Sequence, residues 1–121
     1  MPRFVLLEHE WDGVHWDFML ESGDVLRTWA VDAPIVAGVE LPARALPDHR
    51  RVYLDYEGDV SGDRGRVRRV DEGRYEPIAW EAGRVLVRVA GRQLVGEVEV
   101  RQSAPASDGG GSRIFRLGKV D

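Results

Sequence analysis

The chain contains three histidines, and two of them fall in one short segment that reads His9-Glu-Trp-Asp-Gly-Val-His15-Trp-Asp17. Asp12-Gly13 is a tight-turn dipeptide, so the segment reads as a hairpin in which His9 ends one strand and His15 begins the next. Such a turn brings the two imidazoles together. Asp17 lies two residues beyond His15, and a strand places residues two apart on the same face. Two imidazoles and one carboxylate from adjacent strands form a facial metal site with open positions, suited to Mn²⁺, Fe²⁺ or Zn²⁺ together with water or substrate oxygens. Histidines beside tryptophans in a β protein often simply pack and hydrogen-bond. Here two of three histidines and an aspartate crowd one hairpin, which adds weight to the metal reading and leaves the packed one open beside it. Trp11, at the hairpin tip, is placed to stack on a base or sugar. Trp16 faces the other way and packs with Phe18 and Leu20.

The elements that must hold these residues are short strands. Arg3–His9 and His15–Glu21 flank the turn, and Asp24–Val31, Arg50–Tyr56, Gly65–Asp71, Arg74–Trp80 and Ser112–Leu117 read as further strands. The clearest pattern lies in Gly83–Gln102. There Val85, Val87 and Val89, and then Leu94, Gly96, Val98 and Val100, alternate across an Ala-Gly-Arg break, which is a hairpin signature. No segment sustains an apolar i, i+3, i+4, i+7 stripe over a helix length, and Pro34, Pro42 and Pro47 punctuate the one long gap. The expected fold is therefore all-β, with little helix: a closed or nearly closed barrel of about eight mostly antiparallel strands, closure being favoured because it removes exposed edges. Trp29 and Trp80 are expected to fill the barrel or its end. One domain is expected over residues 1–121, with 103–112 (SAPASDGGGS) a flexible loop by composition.

Composition narrows the chemistry further. The 121 residues include no cysteine, which excludes disulfides, thiolate nucleophiles and zinc ribbons. No apolar run approaches the length of a membrane span, and the amino-terminal segment has no signal-peptide pattern, so the expected location is the cytoplasm, away from membranes. Residues 1–48 carry nine acids against three arginines, and the whole chain has a net charge of −4. An acidic chain does not coat nucleic acid indiscriminately, because that depends on broad phosphate neutralisation. A local basic strip is compatible with it. Arg66 and Arg68 share one strand face and could track phosphates, or could be a solvated face balanced by Asp63, Asp71 and Glu72.

The sequence resembles the 3′-phosphoesterase domain found at the amino terminus of many bacterial multifunctional ATP-dependent DNA ligases and also as free-standing proteins. That family shows H-x5-H-[YW]-D-F-x-L-E, matched by His9, His15, Trp16, Asp17, Phe18, Leu20 and Glu21, and then a Trp-Ala pair matched by Trp29-Ala30. A second motif, D-H-x3-Y-x2-[FY]-E-G, is matched by Asp48, His49, Tyr53, Tyr56, Glu57 and Gly58. A closing hairpin motif fits Gly83-Arg84-Val85 through Gly91, Leu94, Gly96 and Val98. The resemblance spans nearly the whole chain. It implies an eight-stranded barrel with a Mn²⁺ site (another divalent transition metal being admissible) held by His9, His15 and Asp17. His49 and Tyr53 would act on the scissile phosphate. The implied reaction trims 3′-ribonucleotides and 3′-phosphates from the primer strand of a primer–template, with separate ligase or polymerase repair proteins as partners.

Two departures bear on this. The family carries Arg two residues after the ligand aspartate, where this chain has Met19, and an acid two residues before the third histidine, where it has Pro47. Arg grips phosphate through a planar fork that methionine lacks. Arg50 and Arg51, directly after His49, are candidates to supply the missing charge. The alternative function is a catalytically impaired module that keeps the metal site and binds phosphate or nucleic-acid ends. A third reading is an enzyme on another phosphorylated or small oxygen-rich substrate.

Overall fold

β1 (Arg3–Glu10) and β2 (Val14–Ser22) are apolar on both faces at their centres, and the computed structural model, which describes residues 1–103 and 112–118, shows why. Phe4, Leu6, Phe18 and Leu20 point into one cluster, while Val5, Leu7 and Met19 point into another on the opposite side of the same strands. The first cluster is the inside of a barrel. The remaining strands are β3 (Val25–Val31), β4 (Glu40–Arg50), β5 (Gly58–Asp59), β6 (Arg66–Glu81), β7 (Arg84–Gly91), β8 (Val95–Gln102) and β9 (Ser112–Gly118). Their order is β1-β2-β3-β4-β9-β8-β7-β6, and pairing of β1 with β6 closes the eight into an antiparallel ring. The strands are not spaced evenly round an axis. β5 adds a short ninth strand on β6.

The interior draws on all eight strands of the ring. Phe115, Val87, Val98 and Val31 are fully buried there, with Trp29 among them and Trp80 packed against them. Each such side chain is worth about 1.5–3 kcal/mol on leaving water. The 83–102 hairpin forms as its alternation predicts, with β7 facing β8 in unbroken register from Arg84–Arg101 to Ala90–Val95.

Three sequence expectations are corrected. The proline-punctuated stretch contains β4, eleven residues long. Pro47 is tolerated because β4 slips register against β3 there: Thr28 pairs with Leu46 and Leu26 with His49, so Pro47 and Asp48 bulge and no ladder donor is needed. Arg50–Tyr56 is not a strand, because β4 stops at Arg50 and Arg51–Leu54 turns into a short 3₁₀ helix. Finally, Gly65–Asp71 and Arg74–Trp80 are one sixteen-residue strand, β6, which pairs with β1 along its first half and β7 along its second. The Asp-Glu-Gly sequence between them reads as a break, yet Gly73 is needed for close strand packing: a Cβ there would lie 2.1 Å from the Ala90 carbonyl oxygen.

Asp71 explains why that polar triplet stays in the strand. Its carboxylate is 2% exposed and accepts hydrogen bonds from the backbone N–H groups of Glu72, Arg92, Gln93 and Leu94, at 2.7–3.1 Å. It caps the β7–β8 turn from a neighbouring strand. Most of the 103–112 loop lies outside the described residues.

Candidate metal centre

The second apolar cluster lies outside the barrel wall. The 3₁₀ helix and the segment leading into β6 cover the outer faces of β1 and β2, burying Leu54, Val60 and Val67 against Val5, Leu7, Met19 and Leu26. Where this cover ends, the same faces of β1 and β2 carry the polar residues. His9 and His15 are direct partners across the hairpin. Asp12 and Gly13 adopt positive φ (52° and 107°), which is what a turn this short requires. The imidazole centroids are 4.8 Å apart.

Asp17 projects between the histidines and is 2% exposed. Its Oδ1 lies 3.1 Å from His15 Nε2 and its Oδ2 3.5 Å from His9 Nδ1. One ligand atom from each of the three residues falls within 4.8 Å of the others. His9 Nε2 is 2.8 Å from the Arg64 carbonyl. A carbonyl only accepts, so Nε2 carries the proton and Nδ1 is left facing the carboxylate. Two acceptors facing one another need a cation between them. Asp17 Oδ1 is moreover buried, and His15 Nε2, though 3.1 Å away, is not aligned to hydrogen-bond it, so among the described residues that oxygen has no hydrogen-bond partner. The donor set and this orphaned oxygen fit a divalent ion.

Without an ion, protons take part of that role. Hydrogen bonding to Asp17 raises the pKa of His9, burial opposes this, and the Arg64 carbonyl adds to the rise. Burial pushes the Asp17 carboxyl up, but the His15 and His9 imidazoles beside it outweigh this and hold the group below its ordinary range.

The three residues line a cavity of about 250 Å³ together with His49 and Tyr53. His49 donates from Nδ1 to the Pro47 carbonyl at 2.8 Å, leaving Nε2 free for other partners. Pro47 thus orients the ring through its backbone. Tyr53 comes from the 3₁₀ helix and packs edge-on to both His49 and Tyr56, with centroids 6.0 and 5.9 Å away. Met19 is 1% exposed and forms part of the cavity's apolar floor with Val60 and Val67. A larger cavity of about 340 Å³, beneath Trp29 and Trp80, contains none of the histidines.

The other candidate contacts separate. Trp11 stacks on His9 at 6.0 Å, is half exposed, and lines the cavity. Arg50 lies in an adjoining groove with His49 and Tyr53. Arg51 is paired with Glu21 at 2.6 Å and does not line the cavity. Arg66 and Arg68 are not brought to the site. They flank Val67, which lines the cavity, and so project from the opposite face of β6, where Asp59 and Glu8 pair with them at 3.8 and 3.0 Å.

Sequence reasoning missed two supports. Glu21 accepts the Arg3 N–H at 3.0 Å as well as the Arg51 guanidinium, tying the start of the 3₁₀ helix to the barrel. The Arg3 bond lowers its pKa, burial opposes this, and Arg51 lowers it further. Arg64 was visible only as a member of an arginine-rich run. Its carbonyl on His9 is set by a contact fifty-five residues away in sequence, which no local pattern encodes.

A β-barrel with a His-His-Asp cluster on its outer wall defines a candidate metal-dependent domain. Residues 7–102 match the DNA Ligase D 3′-phosphoesterase domain, and the chain belongs to that family. It is similar to the multifunctional non-homologous end joining protein LigD of Mycobacterium bovis and to the multifunctional non-homologous end joining DNA repair protein LigD of Mycobacterium tuberculosis. Each is 32% identical over 102 residues, a match covering 77% of this chain and 13% of the relative. Among the described residues, no helix is long and apolar enough to cross a membrane.

Proposed function

We propose that this chain is a divalent-metal-dependent phosphoesterase that trims 3′-ribonucleotides and 3′-phosphates from a primer strand, leaving a hydroxyl for separate ligase or polymerase proteins. The carrying observation is the convergence of His9, His15 and Asp17 within 4.8 Å, in one cavity with His49 and Tyr53, in a member of this family.

In this reading His9 Nδ1, His15 Nε2 and Asp17 hold Mn²⁺. The bound ion supplies Lewis acidity toward a phosphoryl oxygen and neutralises its charge. The protein's own groups do the rest. The Arg64 carbonyl holds His9 in one tautomer, and the Pro47 carbonyl does the same for His49. His49 Nε2 is then the ring atom that exchanges a proton with the ester or water oxygen. The Tyr53 hydroxyl donates to a non-bridging phosphate oxygen. Trp11 forms a wall on which the terminal base or sugar rests.

The test is end trimming of a labelled primer–template bearing a 3′-phosphate or a terminal ribonucleotide, with Mn²⁺. Wild type is expected to yield product, and Asp17→Ala and His49→Ala are expected to lose it. Turnover that persists in metal-stripped protein would overturn the reading. The apolar floor at Met19 favours a second reading, a binding module that holds phosphate-bearing ends without turning them over. In that case only Met19→Arg would give product. Competition by small phosphate esters would separate a third reading, in which the substrate is not a nucleic acid.

A further inference from the structure

Arg64 stands where the metal cavity meets the adjoining groove. Both are lined by Arg64, His49 and Tyr53, and the groove, of about 480 Å³, adds Arg50 and Ser61. A phosphate in the metal cavity would be held more tightly by a cation besides the ion, and Met19, Leu46, Val60 and Val67 line it with apolar groups. Two arginines line that cavity. Arg44 is already paired with Asp32, at 3.2 Å. Arg64 instead bonds neutral acceptors, the Ser61 carbonyl from Nε at 2.8 Å and the Ser61 hydroxyl from one terminal nitrogen at 3.4 Å. Among the described residues no carboxylate pairs with it. Of its five N–H donors, those that Ser61 does not hold stay available to an anion.

The backbone fixes where this cation sits. Gly65 adopts φ +74°, and a Cβ there would lie 1.8 Å from the Glu10 carbonyl oxygen, so only glycine lets the loop close onto the end of β1. That approach brings the Arg64 carbonyl to His9 Nε2. The Val60 N–H bonds the Gly65 carbonyl at 2.8 Å and closes the loop on itself. One residue therefore orients a metal ligand with its backbone and presents a guanidinium to the same cavity with its side chain. Ser61 holds that side chain in one conformer, which reduces the entropy lost on binding an anion.

We propose that the Arg64 guanidinium grips the substrate's phosphate through its non-bridging oxygens and supplies the charge that Met19 does not. The inference rests on the phosphoesterase reading for its substrate, but phosphate binding tests it separately. Three quantities are measured for wild type, Arg64→Gln and Arg64→Lys: Mn²⁺ affinity by calorimetry, affinity of the Mn²⁺-loaded protein for inorganic phosphate, and turnover of a 3′-phosphate primer–template. Arg64→Gln is expected to keep Mn²⁺ affinity, since the backbone carbonyl remains. Its phosphate affinity should fall about tenfold or more, as loss of a charge-assisted bond implies. Its kcat/KM should fall on the order of 10²–10³. Arg64→Lys should lie between, keeping charge but losing the fork. Unchanged phosphate affinity in Arg64→Gln, a wild type that binds no phosphate, or an equal loss of Mn²⁺ affinity would overturn it. Phosphate binding that depends on Arg64, in a wild type inactive on DNA ends, would support the Arg64 role and refute the end-processing reading.

Discussion

Asp17→Asn is nearly isosteric and removes the one anionic group from a cluster whose three ligand atoms lie within 4.8 Å of one another. The structure allows its consequence to be sized. An ion present at 100 times its dissociation constant stabilises the folded chain by about 2.7 kcal/mol. Unfolding entropy near the midpoint is about 0.25 kcal/mol per degree for a chain of 121 residues, so Mn²⁺ should raise the wild-type midpoint by about 11 °C. Disturbing a partner one step removed from a metal costs about 10–100-fold in affinity, and removing a charged ligand costs at least the upper end of that range. At the same Mn²⁺ concentration the variant is then no more than about half saturated, the stabilisation drops to about 0.4 kcal/mol, and the shift contracts to about 2 °C. Thermal unfolding followed by tryptophan fluorescence, with and without Mn²⁺, gives both shifts. Any change in the metal-free stability of the variant cancels, because the readout is the difference that the ion makes. A wild-type-sized shift in Asp17→Asn would refute Asp17 as a ligand.

Two further predictions concern the scaffold. Asp71→Asn puts an amide NH₂ where one oxygen accepts two backbone N–H groups, and the loss of these two buried charge-assisted bonds should cost about 3 kcal/mol. Urea unfolding of the variant measures this, and a change below about 0.5 kcal/mol would show that the β7–β8 turn does not depend on the cap. Gly65→Ala must push the loop away from Glu10, which takes the Arg64 carbonyl off His9. Mn²⁺ affinity by calorimetry should fall about 10–100-fold while the barrel still folds.

Much of the candidate ligand cluster was legible in the chain alone, because it is local. His9, His15 and Asp17 sit on one hairpin, and turn chemistry at Asp12-Gly13 together with the two-residue period of a strand determines which side chains share a face. The same logic made the 83–102 hairpin and the all-β class readable. It failed where a segment's conformation is decided by distant neighbours. β4 carries two prolines and forms because β3 and β9 pair with it on either side, with Pro47 absorbed in a bulge. The polar triplet at 71–73 continues β6 because Asp71 finds its donors across the sheet in the β7–β8 turn. Arg66 and Arg68 resemble a phosphate strip in sequence but face away, since Val67 takes the cavity side. Arg64 gained its place only when the loop closed onto β1. Residue types and short-range period thus specified the candidate metal-binding cluster. Long-range pairing alone decided that the site lies on the outer wall of the barrel, what covers it, and which arginine reaches it, because those contacts join residues with no shared local pattern.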